Sequence, residues 1–304
     1  MKIVISNIYF GTPPGYFDLF LKSCGLNPEI NFLFFVDFDI ESEVPQNVKF
    51  VSTTFENIRQ RFQVNFDFPL ALHSPYKLTD FQPAYGDLLA EYFTGYDWWG
   101  HCDFDMIFGD LSPLIEIAGQ ENFVKVFRRG HLTLYRNTVQ INGIYKKGAE
   151  ALDYRYIFST ERFLNFDETN GIDKVFLSSG LSVCHDELIA DINPKSPFLY
   201  TTVHPNKFGQ YFTWSNGKLT CKCLNTSDKE FLYIHFQKRY MAVKYEIRGK
   251  ADVELIINQF GLFDDIAGIF GRILLFLCFI PNLAHLKRFY LPRIARNIKS
   301  KLVG

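Results

Sequence analysis

The sequence predicts an α/β fold, a central mixed sheet flanked by helices, followed by an amphipathic helical tail. Three observations carry that expectation. Lys2–Ile8 and Ile30–Val36 are unbroken apolar, β-branched and aromatic runs, the pattern of strands buried on both faces. Between them, Phe17, Phe20, Leu21 and Cys24 recur at helical spacing and are closed by Gly25 and Asn27-Pro28, so strand, helix and strand alternate. Third, the composition holds steady to Asp265 and then changes: no Asp or Glu follows it, whereas Arg272, Lys287, Arg288, Arg293, Arg296, Lys299 and Lys301 do.

The chain has 304 residues, enough for one large α/β domain or two smaller ones, and 47% hydrophobic content with 33 Phe and 16 Tyr gives it material for a core. The expected organisation is a domain over 1–265 and a basic tail over 266–304. Of 32 basic residues, 25 precede residue 266 together with all 33 acidic ones, so the body carries −8 and the tail +7. A basic tail on an acidic body predicts an anionic surface as partner and argues against nucleic acid. The six cysteines form no C-x-x-C pair and no disulfide framework, which fits a reducing cytosol. MKIVISNIYF lacks the long apolar segment and cleavage site of a signal peptide and reads as a first core strand.

After the first strand, Gly11-Thr-Pro-Pro-Gly15 is a turn-rich loop. The second strand ends at Asp37-Phe38-Asp39, and an acid at the end of an early strand is placed to touch a base or ribose. Val48–Val51 is a short third strand, and Thr54–Phe62 reads as an amphipathic helix on Phe55, Ile58 and Phe62. Lys77 and Asp80 precede a helix expected over Asp87–Phe93, which feeds the central stretch; a Lys there suits phosphate and an Asp suits ribose or base.

That stretch is Gly95–Leu111, GYDWWGHCDFDMIFGDL. Alternation along a strand would send Asp103 and Asp105 to the same side. Two neighbouring carboxylates repel unless a proton or cation sits between them, and a hard divalent ion sharing substrate phosphates is the natural partner. Ser112-Pro113 then starts a helix, and Phe123–Phe127 is a strand. Arg128–Asn137 is rich in donors that would suit sugar hydroxyls and phosphates, and Phe163–Gly171 is a loop holding Asp167 and Glu168. Phe176–His185 reads as a strand pair, and Phe208–Thr213 with Lys218–Leu224 as a hairpin around Ser215-Asn216-Gly217. His235 ends the apolar run Phe231–Ile234 and precedes Lys238-Arg239. Those bases and the distant acid pair favour His235 as a third metal ligand with phosphate-binding neighbours.

In the tail, the apolar run Ile273–Ile280 is too short to span a bilayer. Leu291, Ile294, Ile298 and Leu302 line one face beyond Pro292, with the bases off that face, the pattern of an interfacial helix on anionic lipid.

The segments YKLTDFQPAYG (Tyr76–Gly86), Gly95–Leu111 and GHLTLYRN (Gly130–Asn137) resemble an uncharacterised bacterial family with GT-A-like glycosyltransferase features, whose members sit among capsule, O-antigen and other surface-polysaccharide genes. The resemblance covers most of residues 1–240. It implies a GT-A, Rossmann-like fold, a nucleotide-sugar donor (UDP-sugar foremost) and Mn²⁺ or Mg²⁺. By that likeness Asp103 and Asp105 are the D-x-D pair, His235 is the C-terminal metal ligand, and Lys77 and Asp80 stand where related transferases hold the nucleotide. Asn7-Ile8-Tyr9-Phe10-Gly11 departs from the family, which has a Pro before the Tyr-Phe-Gly.

The expected reaction moves a sugar to a glycan or lipid-linked glycan at the inner face of the cell membrane. Asp167 or Glu168 is the candidate base if it inverts, and Lys238 or Arg239 adds charge stabilisation to the leaving nucleotide. Two rival classes are a metal-dependent nucleotide-sugar or phosphate-ester hydrolase and a non-catalytic carbohydrate-binding scaffold.

Overall fold

The computed structural model describes residues 1–185, 188–223, 226–247, 250, 252–264 and 268–288. The chain divides into two compact units assembled from interleaved stretches: residues 1–13, 27–104 and 112–187 in the first, 14–26, 105–111 and 188–304 in the second. Asp265, the expected boundary, and the interfacial helix expected beyond Pro292 lie outside the described residues.

The first unit is built on seven strands: β1 (Ile3–Tyr9), β2 (Ile30–Val36), β3 (Val48–Ser52), β4 (Trp98–Cys102), β6 (Lys125–Val126), β7 (Leu132–Arg136) and β8 (Val183–Cys184). Their order is β3-β2-β1-β4-β7-β6-β8. β1 is parallel to both β2 and β4, and β7 runs antiparallel to β4 and β6, so the sheet is mixed as expected. Strand order reverses at β1, and in open α/β sheets such a switch point opens a crevice beyond the carboxyl ends of the strands. Asp103 follows the end of β4 there, and Asp37 follows the end of β2.

Around the sheet lie α2 (Phe55–Gln63), α3 (Tyr85–Leu88), α4 (Ser112–Ala118), α5 (Val139–Asn142), α6 (Tyr154–Ser159) and α7 (Ile172–Ser178). Thr54 caps α2 by accepting the Asn57 N–H at 3.2 Å. Trp99 sits at the centre of the core, with its ring stacked between Phe93 and Tyr135.

Two expectations are corrected in this unit. The single helix over Asp87–Phe93 is instead α3 followed by a 3₁₀ turn at Ala90–Tyr92, and 3₁₀ turns run through Pro75–Ala84. Pro83 offers no amide hydrogen, and Leu89 at φ −124° interrupts the helical path. The strand pair over Phe176–His185 is α7 and then β8, because Ile172, Val175 and Phe176 recur at helical spacing and bury one face.

The second unit holds two sheets. β10 (Tyr211–Ser215), β11 (Lys218–Lys222), β12 (Lys229–Phe231), β14 (Ala242–Lys244), β15 (Glu254–Asn258) and β16 (Gly261–Phe263) form one, in the order β12-β11-β10-β15-β16-β14. The β10–β11 turn places Asn216 and Gly217 at φ 45° and 85°, the left-handed pair of a tight hairpin. β5 (Met106–Phe108), β13 (Tyr233–His235) and β9 (Ile189–Asp191) form the other, with β13 central, antiparallel to β5 and parallel to β9.

The helix α1 (Phe17–Gly25) belongs to this unit, and its Ser23 hydroxyl oxygen accepts the Phe108 N–H at 3.1 Å. The helix α8 (Ile269–Leu277) buries Leu274, while Phe270, Ile273 and Phe276, together with Ile280 and Leu283 beyond it, stay exposed. Among the described residues no helix is long and apolar enough to cross a membrane.

Candidate metal centre

Asp103 and Asp105 do not share one continuous strand. β4 ends at Cys102, β5 starts at Met106, and the three residues between them bend. Strand alternation therefore does not orient the pair. Phe104 anchors the bend: it is buried, stacked on Tyr9 at 4.9 Å and set edge-on to Phe34 at 5.0 Å. The Asp103 N–H donates to the His131 carbonyl at 3.0 Å, prolonging the β4–β7 ladder by one bond.

Asp105 begins the 105–111 stretch of the second unit and meets the segment that leaves β13. Its backbone carbonyl accepts the Phe236 N–H at 2.8 Å, and its Oδ2 accepts the Lys238 N–H at 2.5 Å. Gln237 and Lys238 lie at φ 51° and 57°, two consecutive side-chain-bearing residues in left-handed backbone. Such strain costs about 1–2 kcal/mol per residue and persists where the surroundings fix it, often at functional sites. Here it turns the Lys238 N–H back onto Asp105.

Nε2 of His235 lies 3.4 Å from Asp105 Oδ1, and its Nδ1 lies 3.0 Å from Oδ1 of Asp191. Burial alone would push the Asp105 carboxyl up. The His235 charge and hydrogen bond, the Lys238 N–H and the Lys238 charge outweigh burial and hold it below the usual carboxylate range. A charged carboxylate oxygen beside an imidazole nitrogen is a donor set that suits Mn²⁺ or Mg²⁺. Asp105 and His235 belong to a grouping of His and Asp ligand atoms close enough to hold a metal ion.

Asp191, Gln237 and Thr202 complete this arrangement and had no part in the sequence reading. Gln237 Nε2 donates to Asp191 Oδ1 at 2.7 Å, and the Thr202 hydroxyl donates to Asp191 Oδ2 at 2.6 Å. One signal was available for Asp191: like His235, it terminates a short apolar strand.

Residues 4–264 match the model of a family of unknown function, DUF6625. The chain belongs to that family. No curated protein matches it. Among solved structures it is similar to the galactosyltransferase LgtC in complex with donor and acceptor sugar analogs, at 13% identity and a TM-score of 0.35, over 63% of this chain and 75% of that one. An active-site mutant of LgtC gives 14% identity and a TM-score of 0.33 over the same shares.

The structure gives the other expected site residues of this DUF6625 member various tasks. Lys77 and Asp80 are buried and bind each other at 2.8 Å. The Lys77 ammonium also donates to the carbonyls of Ile157 and Arg162, which uses all three of its hydrogens. Asp80 accepts from the Leu164 and Phe166 N–H groups. This pair fastens the 157–166 segment.

Arg239 is likewise buried, and its guanidinium donates to the carbonyls of Ser196, Phe198 and Gln259. Burial lowers its pKa to about 10. It holds the 196–198 loop, whereas the neighbouring Lys238 side chain is exposed. Asp37 is exposed at the end of β2, where its Oδ1 accepts the Gly11 N–H at 2.8 Å.

Asp167 and Glu168 lie in a loop as expected, but in different surroundings. Asp167 is buried, and burial first, then the charges of Glu168 and Asp103, raise its pKa well above the usual carboxylate range. Burial there favours the neutral acid over the anion that a general base must be. Glu168 is only half-buried.

Proposed function

We propose that this DUF6625 protein is a metal-dependent glycosyltransferase that moves a sugar from a nucleotide-sugar donor, a UDP-sugar foremost, to a glycan acceptor. The observation that carries the reading is the approach of His235 Nε2 to the charged Asp105 carboxylate at 3.4 Å, backed by a buried Asp191. Asp103, two residues before Asp105 in the chain, is assigned as the third ligand with Asp105 and His235. A divalent cation bound there supplies charge neutralisation to the diphosphate leaving group. The ammonium of Lys238, an exposed residue whose N–H holds Asp105, is assigned to the same diphosphate. For an inverting reaction Glu168, half-buried where Asp167 is buried, takes the acceptor proton; a retaining reaction leaves that proton to the departing diphosphate.

The acceptor in this reading is a lipid-linked glycan of bacterial surface-polysaccharide synthesis, reached from the inner face of the cell membrane. Its support is the sequence resemblance together with the C-terminal region. Phe270, Ile273, Phe276, Ile280 and Leu283 are exposed, Arg272, Lys287 and Arg288 are exposed beside them, and no acidic residue follows Asp265. Apolar side chains among unopposed bases suit an anionic lipid surface.

The test is a thermal-shift screen of UDP-, GDP-, CMP- and dTDP-sugars, each with Mn²⁺ and with chelator. A ligand that binds only the native state raises the melting temperature by mass action. The expected result is a Mn²⁺-dependent shift with one nucleotide class, lost in Asp105→Ala. Shifts with none would favour a carbohydrate-binding scaffold, and acceptor-independent release of sugar would favour a hydrolase.

A further inference from the structure

We propose that Asp191 is a positioning residue that fixes which face of His235 is offered to a metal. The inference rests on the reading of His235 as a ligand, but its observations are separate. Asp191 and His235 are register partners on the parallel strands β9 and β13, so their side chains leave the sheet on the same side. Asp191 is only 2% exposed, and a buried carboxylate is tolerable when its lone pairs are filled. Three side-chain donors converge on it: His235 Nδ1 at 3.0 Å, Gln237 Nε2 at 2.7 Å and the Thr202 hydroxyl at 2.6 Å. Two backbone bonds fix the surroundings: the Ile192 N–H donates to the His235 carbonyl, tying the ends of β9 and β13, and the Thr202 N–H donates to the Asp191 carbonyl, holding Thr202 beside it.

The consequence for His235 is chemical. Asp191 on Nδ1 fixes the rotation of the ring, so Nε2 is the nitrogen turned to the Asp105 side, where a bound cation would take its lone pair. Gln237 and Thr202 hold the carboxylate itself in place. The strained Gln237–Lys238 turn then serves two ends: the Gln237 side chain supports Asp191, and the Lys238 N–H holds Asp105. Partners behind a ligating imidazole typically contribute about 10–100-fold to metal affinity.

The experiment uses the full chain and Mn²⁺ alone. Mn²⁺ dissociation constants are measured by calorimetry for wild type, Asp191→Asn, Asp191→Ala and His235→Ala. In parallel, ¹⁵N spectra of the metal-free protein report whether His235 Nδ1 carries a hydrogen, the signal being assigned by its loss in His235→Ala. The expected results are Nδ1–H in wild type, a mixture of tautomers in Asp191→Asn, and binding weakened about 10-fold in Asp191→Asn and up to about 100-fold in Asp191→Ala.

Equal Mn²⁺ affinity in wild type and Asp191→Asn, or an Nε2–H tautomer in wild type, overturns the role of Asp191. Wild type that binds no Mn²⁺ while showing the expected tautomers overturns the metal reading instead. The wild-type tautomer stands as evidence even if a variant fails to fold.

Discussion

The carboxyl of Asp167 packs directly against the α-carbon of Gly130. A methyl group added at Gly130 would fall within the space of the Asp167 carboxyl oxygen, and its Cγ would lie 2.6 Å away. The Asp side chain is too short to swing clear, so the 163–171 loop would have to move. Gly130→Ala should therefore destabilise the protein by about 1–3 kcal/mol, the usual range for overpacking a core. Urea unfolding measures the loss. Adding Asp167→Ala should recover a large part of it, and equal losses with and without that second change would mean the contact is not the cause.

The same burial makes Asp167 a source of pH dependence. Its folded-state pKa is raised from 3.8, so the fold keeps a proton that the unfolded chain releases once pH exceeds about that value. The stability contributed by this group is complete below pH 3.8 and falls as pH climbs toward the raised folded value. Asn at this position carries no proton in either state. Relative to wild type, Asp167→Asn should gain stability at pH 7.5 and show a smaller gain at pH 4, read from unfolding midpoints at both. An equal difference at both would assign the effect to hydrogen bonding instead.

Lys77 and Asp80 invite a test of structural against ligand-binding roles. Removing one partner of a buried ion pair leaves an uncompensated charge and costs about 3–5 kcal/mol. Asp80→Ala also strips the Leu164 and Phe166 N–H groups of their acceptor. The expected outcome is a large fall in melting temperature. Unchanged stability with weaker nucleotide binding would return the pair to the role the sequence first gave it.

The elements that the sequence made legible are those whose residues declare their own environment. β2 spans Ile30–Val36 as read, because an unbroken apolar run has few options besides a strand buried on both faces. The β10–β11 turn is written in Asn216-Gly217. What stayed hidden depends on partners far along the chain. Whether Lys77 faces a phosphate or the carbonyls of Ile157 and Arg162 is decided some 80 residues away, and no local pattern encodes it. The D-x-D could be found from its acids, but not its bend, because β4 and β5 pair with different sheets. Asp191 showed only its place at the end of a short apolar strand; its meaning comes from its register with His235, which lies 44 residues on.

Lys238 separates what a backbone does from what a side chain does. It sits at φ 57°, its N–H donates to Asp105 and the residue is exposed. Glycine adopts that conformation without a Cβ penalty and keeps the N–H. Lys238→Gly should therefore leave Mn²⁺ affinity within about twofold of wild type, an interval of roughly 0.4 kcal/mol. Thermal stability should hold or rise by up to about 1 kcal/mol as the strain is relieved. If the ammonium meets the donor diphosphate, the variant should instead lose donor affinity, seen as a raised KM for the nucleotide sugar identified by the thermal-shift screen. A fall in Mn²⁺ affinity with unchanged donor KM would reverse the assignment, making the ammonium part of the field around Asp105 and leaving the diphosphate to the metal.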